Sequence, residues 1–189
     1  INNRKKIMKT KKYLLVGALI LSLSTPAIAQ NDSYKAALNP IISAIEAAPN
    51  DVNAGKDLIK DYLKTYKKDE QALTALGNVY LAQRNFAEAM KIANSIVSNK
   101  KMNGTLGYLL LGDIVALQDS VGNAGAAAQN YATAISLDPH NVAAYERYAK
   151  VYRHVNPQVS VQKLEELRQV EPNYPVEATA AEIMLGDGK

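Results

Sequence analysis

Residues 70–101 read EQALTALGNVYLAQRNFAEAMKIANSIVSNKK, a segment long enough for two helices and carrying two separate apolar stripes. Leu73, Leu76, Gly77 and Tyr80 recur at steps of three, one and three, which places them on one face of a helix. After the polar break Gln83-Arg84-Asn85 a second stripe follows in Phe86, Ala89, Ala93, Ile96 and Val97. Asn85 with Glu88 three residues on has the spacing of a capping box, in which each of two open backbone donors finds a side-chain acceptor. Small residues at 77 and 89 let two helix backbones approach closely while the larger side chains interlock beside them. A single hairpin of this kind leaves apolar surface uncovered, so it is expected to stack on copies of itself.

Copies follow. The order of a large residue, Leu-Gly and an apolar residue returns at Tyr108, Leu111, Gly112 and Val115, with a second helix carrying Ala127, Tyr131, Ala134 and Ile135 and closing at Leu137-Asp138-Pro139. A third version runs through Tyr145, Tyr148, Ala149 and Tyr152, then Val161, Leu164 and Leu167, closing at Val170-Glu171-Pro172. The separations are 35 residues from Leu76 to Leu111, 37 from Leu111 to Tyr148 and 33 from Pro139 to Pro172. In that order and in a period of about 34 residues, residues 70–172 resemble the tetratricopeptide repeat family. The departures from the period fall in turns, chiefly Asp119–Gly125, where Gly122 and Gly125 are expected to loop out.

The resemblance implies an all-α fold, a right-handed α-solenoid of stacked helical hairpins with a concave groove lined by the first helix of each repeat. Helices are expected near 70–82, 86–98, 105–117, 124–136, 141–153 and 158–169. Residues 30–69 read as a degenerate N-terminal hairpin. Its first helix is expected to start at Asn39-Pro40 and to carry Ile41, Ile42 and Ile45; Pro49-Asn50-Asp51 is the turn, and Leu58, Ile59, Tyr62, Leu63 and Tyr66 form the second helix. Repeat units then span 70–103, 104–140 (with the turn insertion) and 141–173. Residues 174–189 hold one further helix through Val176, Ala180, Ile183 and Met184, ending at Gly186-Asp187-Gly188-Lys189, the expected first half of an incomplete repeat. No window shows the sustained period of two that a strand requires.

The first 29 residues stand outside this pattern. Lys9, Lys11 and Lys12 form a basic start, Tyr13–Leu23 is an apolar run of eleven residues, and Pro26 precedes the small-x-small triplet Ala27-Ile28-Ala29. That is the layout of a secretory signal peptide cleaved between Ala29 and Gln30. A bilayer span needs about 20 apolar residues, more than this run supplies. Ile1 opens the chain and Met8 stands just before the signal, so residues 1–7 read as translated upstream sequence or an expression remnant.

Export changes the electrostatics. Six of the 22 Lys and Arg lie before the cut and all 18 Asp and Glu lie after it, so the formal charge of +4 becomes −2 for residues 30–189. The basicity belongs to targeting, and no nucleic-acid partner is expected. The chain has no Cys, hence no disulfide and no lipidated cysteine, and a soluble periplasmic or extracellular product with no membrane span after cleavage is expected.

Enzyme signatures are missing. The two histidines, His140 and His154, form no H-E-x-x-H pair, the glycines form no phosphate loop or dinucleotide fingerprint, and neither a metal nor a cofactor is expected. His140 reads as a solvated turn residue. The neighbouring carboxylates Glu165 and Glu166 point about 100° apart on a helix and cannot flank one bond. Binding signals are better founded. Gln71, Thr74 and Asn78 share a face left free by the packing stripe. The resemblance implies that an Asn directly after the Leu-Gly pair, here Asn78, bonds a peptide backbone in the groove; the equivalent places hold Asp113 and Lys150. The helix at 105–117 adds Leu106, Leu109 and Leu110 to its stripe, as either a covered central helix or an apolar floor for a partner. On the helix at 141–153, Arg147, Lys150 and His154, with Arg153 beside them, lie opposite the tyrosines, as a solvated face or as a dock for an acidic partner.

The leading expectation is therefore an exported scaffold that binds a protein or peptide, without catalysis. A carbohydrate-uptake accessory is an alternative, opposed by the absence of Trp and the single Phe. A second alternative is the repeat region of a longer protein with a catalytic domain after Lys189. N-terminal sequencing of the exported product is expected to begin at Gln30; a product retaining Tyr13–Leu23 would show that the segment anchors instead of leaving.

Overall fold

In a computed structural model of the chain the described residues are 33–186 apart from positions 50, 52, 120 and 121. The signal segment with its cleavage position Ala29–Gln30, the centre of the Asp119–Gly125 turn and residues 187–189 lie outside them. Every regular element among the described residues is a helix, so the fold is all-α. The helices are α1 (Ser33–Ala47), α2 (Lys56–Tyr66), α3 (Glu70–Ala82), α4 (Phe86–Val97), α5 (Thr105–Gln118), α6 (Ala124–Leu137), α7 (Val142–Tyr152), α8 (Pro157–Val170) and α9 (Val176–Leu185). The chain forms two compact units, Ile1–Ile92 and Ala93–Lys189.

Short polar side chains set where helices start. Asp69 Oδ1 accepts the Ala72 amide at 3.0 Å, Asn141 Oδ1 that of Ala144 at 3.2 Å and Asn156 Oδ1 that of Val159 at 3.3 Å. Asn85 Oδ1 likewise accepts the Glu88 amide at 3.3 Å, but only this half of the expected capping box exists. The Asn85 amide donates to Tyr80 O at 2.9 Å, and the Arg84 amide to Leu81 O at 2.9 Å. That pair of bonds is the Schellman closure of α3, and it holds Arg84 at φ 57°. The previous helix has taken the donor that the box would have used, and Glu88 pairs with Lys91 instead.

In the first unit α1, α2 and α3 pack on one another. Leu38 and Ile41 of α1 are buried, as are Leu73, Leu76, Gly77 and Val79 of α3, and the Tyr62 hydroxyl donates to Ala72 O at 2.9 Å. α1 begins at Ser33, not at Asn39-Pro40, and runs through Pro40. Proline here removes one helical bond, but Pro40 and Ala36, whose carbonyl loses its donor, are both exposed to water. Burial of Leu38 and Ile41 on either side holds the turn helical.

In the second unit helices pack on their chain neighbours, α5 on α6, α6 on α7, α7 on α8 and α8 on α9, and α7 also meets α9. Leu109, Ala127, Tyr131, Ala134 and Ala144 form one core, flanked by Leu106, Tyr108, Val115 and Tyr148. Ala149, Leu164 and Val176 form another, flanked by Tyr174, Ala180 and Ile183. The buried stripe of α8 is Ser160, Leu164 and Leu167. Val161, expected there from its hydrophobicity, is 37% exposed. Ser160 takes the place because its small side chain admits α7 closely and its hydroxyl bonds Ala149 O at 2.6 Å.

Two glycines of α5 mark close approaches between helices. A Cβ on Gly112 would sit 2.3 Å from the Tyr131 ring, and one on Gly107 would sit 2.8 Å from side-chain atoms of Ile96 and Val97. Gly125, expected in a loop, is instead inside α6 with nothing within 4 Å of its would-be Cβ. Gly125→Ala is therefore expected to raise stability by about 0.5 kcal/mol through helix propensity. Gly112→Ala is expected to cost about 1–3 kcal/mol through overpacking. Denaturant unfolding reads both, and equal effects of the two substitutions would contradict the contact described for Gly112.

Candidate functional site

The candidate groove residues fall in both units and are described separately. In the first, Gln71 and Asn78 of α3 are half-buried, while Thr74 is buried and its hydroxyl donates to Glu70 O at 2.7 Å. That bond uses the hydroxyl proton of Thr74 within its own helix.

In the second unit the sequence left α5 with two accounts. Leu109 is 3% exposed and Leu110 fully covered, and Leu106 packs against the same core. Leu109 and Leu110 thus serve as core, as expected for a helix covered by its neighbours, and they offer no open apolar floor. The polar residues are where the three helices α5, α6 and α7 converge. Tyr131 on α6 donates its hydroxyl to Asp113 Oδ1 at 2.9 Å, and Arg147 Nη1 on α7 meets Asp113 Oδ2 at 3.1 Å. Both oxygens of one carboxylate are therefore engaged, one from each neighbouring helix.

Local structure dictates this arrangement. Gly112 clears the space in which the Tyr131 ring lies against α5, so the phenol tip reaches the very next residue, Asp113. Arg147 lies one residue before Tyr148 and two before the buried Ala149, on the side of α7 away from the packed Tyr145. Burial pushes the Asp113 carboxyl above its ordinary range, while Arg147, the Tyr131 hydroxyl and Lys150 each pull it down. Burial, then the charge of Asp113, pushes the Tyr131 phenol upward. The side chains of Asp113 and Arg147 keep 22% and 28% of their exposure, so the pair is screened in part by water.

Further along α7, Lys150 is exposed, and Arg153 Nε donates to His154 Nε2 at 2.9 Å. Glu146, on the same side, accepts the Tyr174 hydroxyl at 2.7 Å. The tyrosines opposite are packed: Tyr145 is buried, and Tyr148 and Tyr152 stack at 5.2 Å with planes 9° apart. Lys163 of α8 lies 4.8 Å over the Tyr148 ring and pairs with Glu166. His140 is exposed, as expected, with its Nδ1 2.8 Å from Glu171 Oε1. Glu165 pairs with Arg168, which also reaches Glu177 at 2.6 Å.

The structure thus brings Asp113 together with Arg147, with Lys150 within electrostatic reach, and joins Arg153 to His154. The sequence assigned Tyr131 to packing alone and overlooked its hydroxyl. The available signal was a buried phenol that needs an acceptor, lying opposite a glycine whose neighbour is an aspartate. Among the described residues no group of three or more His, Asp or Glu side chains is arranged to hold a metal, and no helix is long and apolar enough to cross a membrane. A shallow, open depression lined by Pro157, Gln158, Val161, Gln162 and Glu165 lies along α8.

No protein-family model matches the chain, and no curated protein and no solved structure is significantly similar to it.

Asp113, Arg147 and Tyr131 are expected to act as a unit. In a double-mutant cycle, Asp113→Ala and Arg147→Ala should show a coupling of about 0.5–1.5 kcal/mol, at the lower end for a partly hydrated pair. Tyr131→Phe, which leaves Asp113 Oδ1 without its donor, should cost about 1 kcal/mol. Additive single effects, read by chemical unfolding, would show that the three do not cooperate.

Proposed function

We propose that this protein is an exported tetratricopeptide-like scaffold, a right-handed α-solenoid of helical hairpins that binds a protein or peptide segment and performs no catalysis. The periplasm or the extracellular space is its place of work, by the signal segment read in residues 8–29. The order of helices in the second unit supports the repeat architecture: from α5 to α9 each packs on its chain neighbour, and α7 meets α9 across the intervening α8.

One observation carries the functional part. Asp113 and Arg147 tie α5 to α7, the first helices of successive hairpins in the second unit, on the face that also bears Lys150. Hairpins stacked in this way present their first helices side by side, which is how a helical repeat builds a surface for an extended segment. The side chains exposed there are polar and positioned by packed helices, so a segment would meet a largely pre-formed surface.

Selection of a random peptide library on the immobilised protein is expected to enrich sequences whose binding falls when Lys150→Glu and Arg153→Glu are introduced together. A library that yields no enriched sequence would remove the scaffold function. Enriched sequences indifferent to both charge reversals would move the binding surface off α7.

A further inference from the structure

We propose that Asn103 is a site of spontaneous covalent modification, at which the Gly104 nitrogen closes on the asparagine side chain, ammonia leaves, and water converts the ring to aspartate or isoaspartate. The proposal concerns the second unit alone and is independent of the binding function above.

Sequence and fold select this residue together. Among the asparagines of the chain only Asn103 is followed by glycine. It is exposed and lies outside any helix, in the turn between α4 and α5. A side chain on the following residue crowds the approach of that residue's backbone nitrogen to the asparagine Cγ, and glycine has none. The glycine is required here for another reason. Gly104 has φ 87°, where a residue with a Cβ is strained, so the start of α5 calls for the residue type that opens Asn103 to attack. The other turn asparagines differ. Asn85, Asn141 and Asn156 cap helices with their Oδ1 atoms, and Phe86, Val142 and Pro157 follow them.

A neighbouring hydroxyl assists the chemistry. Thr105, 5% exposed, donates its hydroxyl to Asn103 Oδ1 at 2.6 Å. This donor draws electron density away from Cγ and faces the oxygen on which negative charge develops as the nitrogen attacks. Gly104 N loses its proton to solvent and forms a bond to Cγ. The Cγ–Nδ2 bond then breaks, and Nδ2 takes a proton from water and leaves as ammonia. The resulting succinimide opens by addition of water. Addition at Cγ restores the ordinary main chain with aspartate at position 103, whereas addition at the main-chain carbonyl carbon leaves the chain running through Cγ as isoaspartate. No oxidant or reductant takes part.

The two products act differently on the fold. Aspartate adds one negative charge at the start of α5, where the open amides of the first turn favour it. Isoaspartate lengthens the main chain by one methylene at a packed position. A Cβ on Gly104 would lie 3.8 Å from Leu137 and 3.9 Å from Val97, and one on Gly107 would meet Ile96 and Val97 at 2.8 Å. The longer chain therefore shifts the start of α5 against these side chains and lowers stability.

The test ages the purified full chain in mildly alkaline buffer and follows every asparagine by peptide mapping, with fragmentation that separates aspartate from isoaspartate. Position 103 is expected to convert before any other asparagine, giving both products. Thr105→Val should slow that conversion by about fivefold, the worth of one ordinary hydrogen bond, while Thr105→Ser, which keeps the hydroxyl, should convert as the parent does. Circular dichroism confirms that both variants are folded. Earlier conversion at another asparagine would overturn the site. So would conversion at position 103 in the urea-unfolded chain but not in the folded one, since the turn would then protect it. An unchanged or faster rate in Thr105→Val would overturn the part given to the hydroxyl. The acidic form isolated from aged protein by ion exchange, which holds both products, is expected to unfold at lower denaturant than Asn103→Asp. Coincident transitions would overturn the strain assigned to isoaspartate.

Discussion

The close approach of α5 and α6 at Gly112 is the contact on which the second unit depends. With no side chain at that position, the Tyr131 ring lies against the helix backbone side of α5 and fills the space a Cβ would claim at 2.3 Å. An aromatic ring buried in this way contributes apolar area of a size few other side chains offer. Its polar tip must then find an acceptor inside the interface, and Asp113 is the next residue. The apolar contact and the polar junction are thus one device, since the glycine that admits the ring also sets where its hydroxyl ends.

Asp113 carries that device onward to α7. A half-buried carboxylate needs compensation, and here it receives a phenol donor from one helix and a guanidinium from another. The link joins α5 to α7, on either side of α6 in the chain, without adding apolar area. At the next junction a different solution appears: Ser160 bonds Ala149 O, and the Tyr174 hydroxyl reaches Glu146. The α5–α6 and α7–α8 pairings both combine a small residue at close approach with a hydroxyl that satisfies a nearby acceptor.

The proposed function follows from what is left over after these demands are met. Leu109, Leu110, Tyr145 and Ala149 are consumed by packing, as is the hydroxyl of Thr74 by its own helix. Arg147, Lys150 and Asp113 remain at the surface of packed helices, with two of the three already in contact. A binding face made of such residues discriminates by charge more than by shape, which suits a ligand without fixed structure.

The sequence alone determined the class of fold and the bounds of most helices, because periodic apolar residues, Asn and Asp caps and the prolines that follow α6 and α8 act locally. α3 begins and ends where its stripe does, and α4 to α8 depart by a residue or so. Local signals failed where a distant contact outweighed them. Pro40 sits inside α1 because Leu38 and Ile41 are buried against other helices; Ser160 replaces Val161 in the core because a carbonyl of α7 needs its hydroxyl; Asn85 loses half of its capping box to the end of α3. The candidate site divides in the same way. Asp113, Arg147 and Lys150 were legible as polar residues on first helices, whereas their union through Tyr131 was not. That union joins residues 18 and 34 positions apart across three helices, and only the tertiary packing at Gly112 brings them to one point.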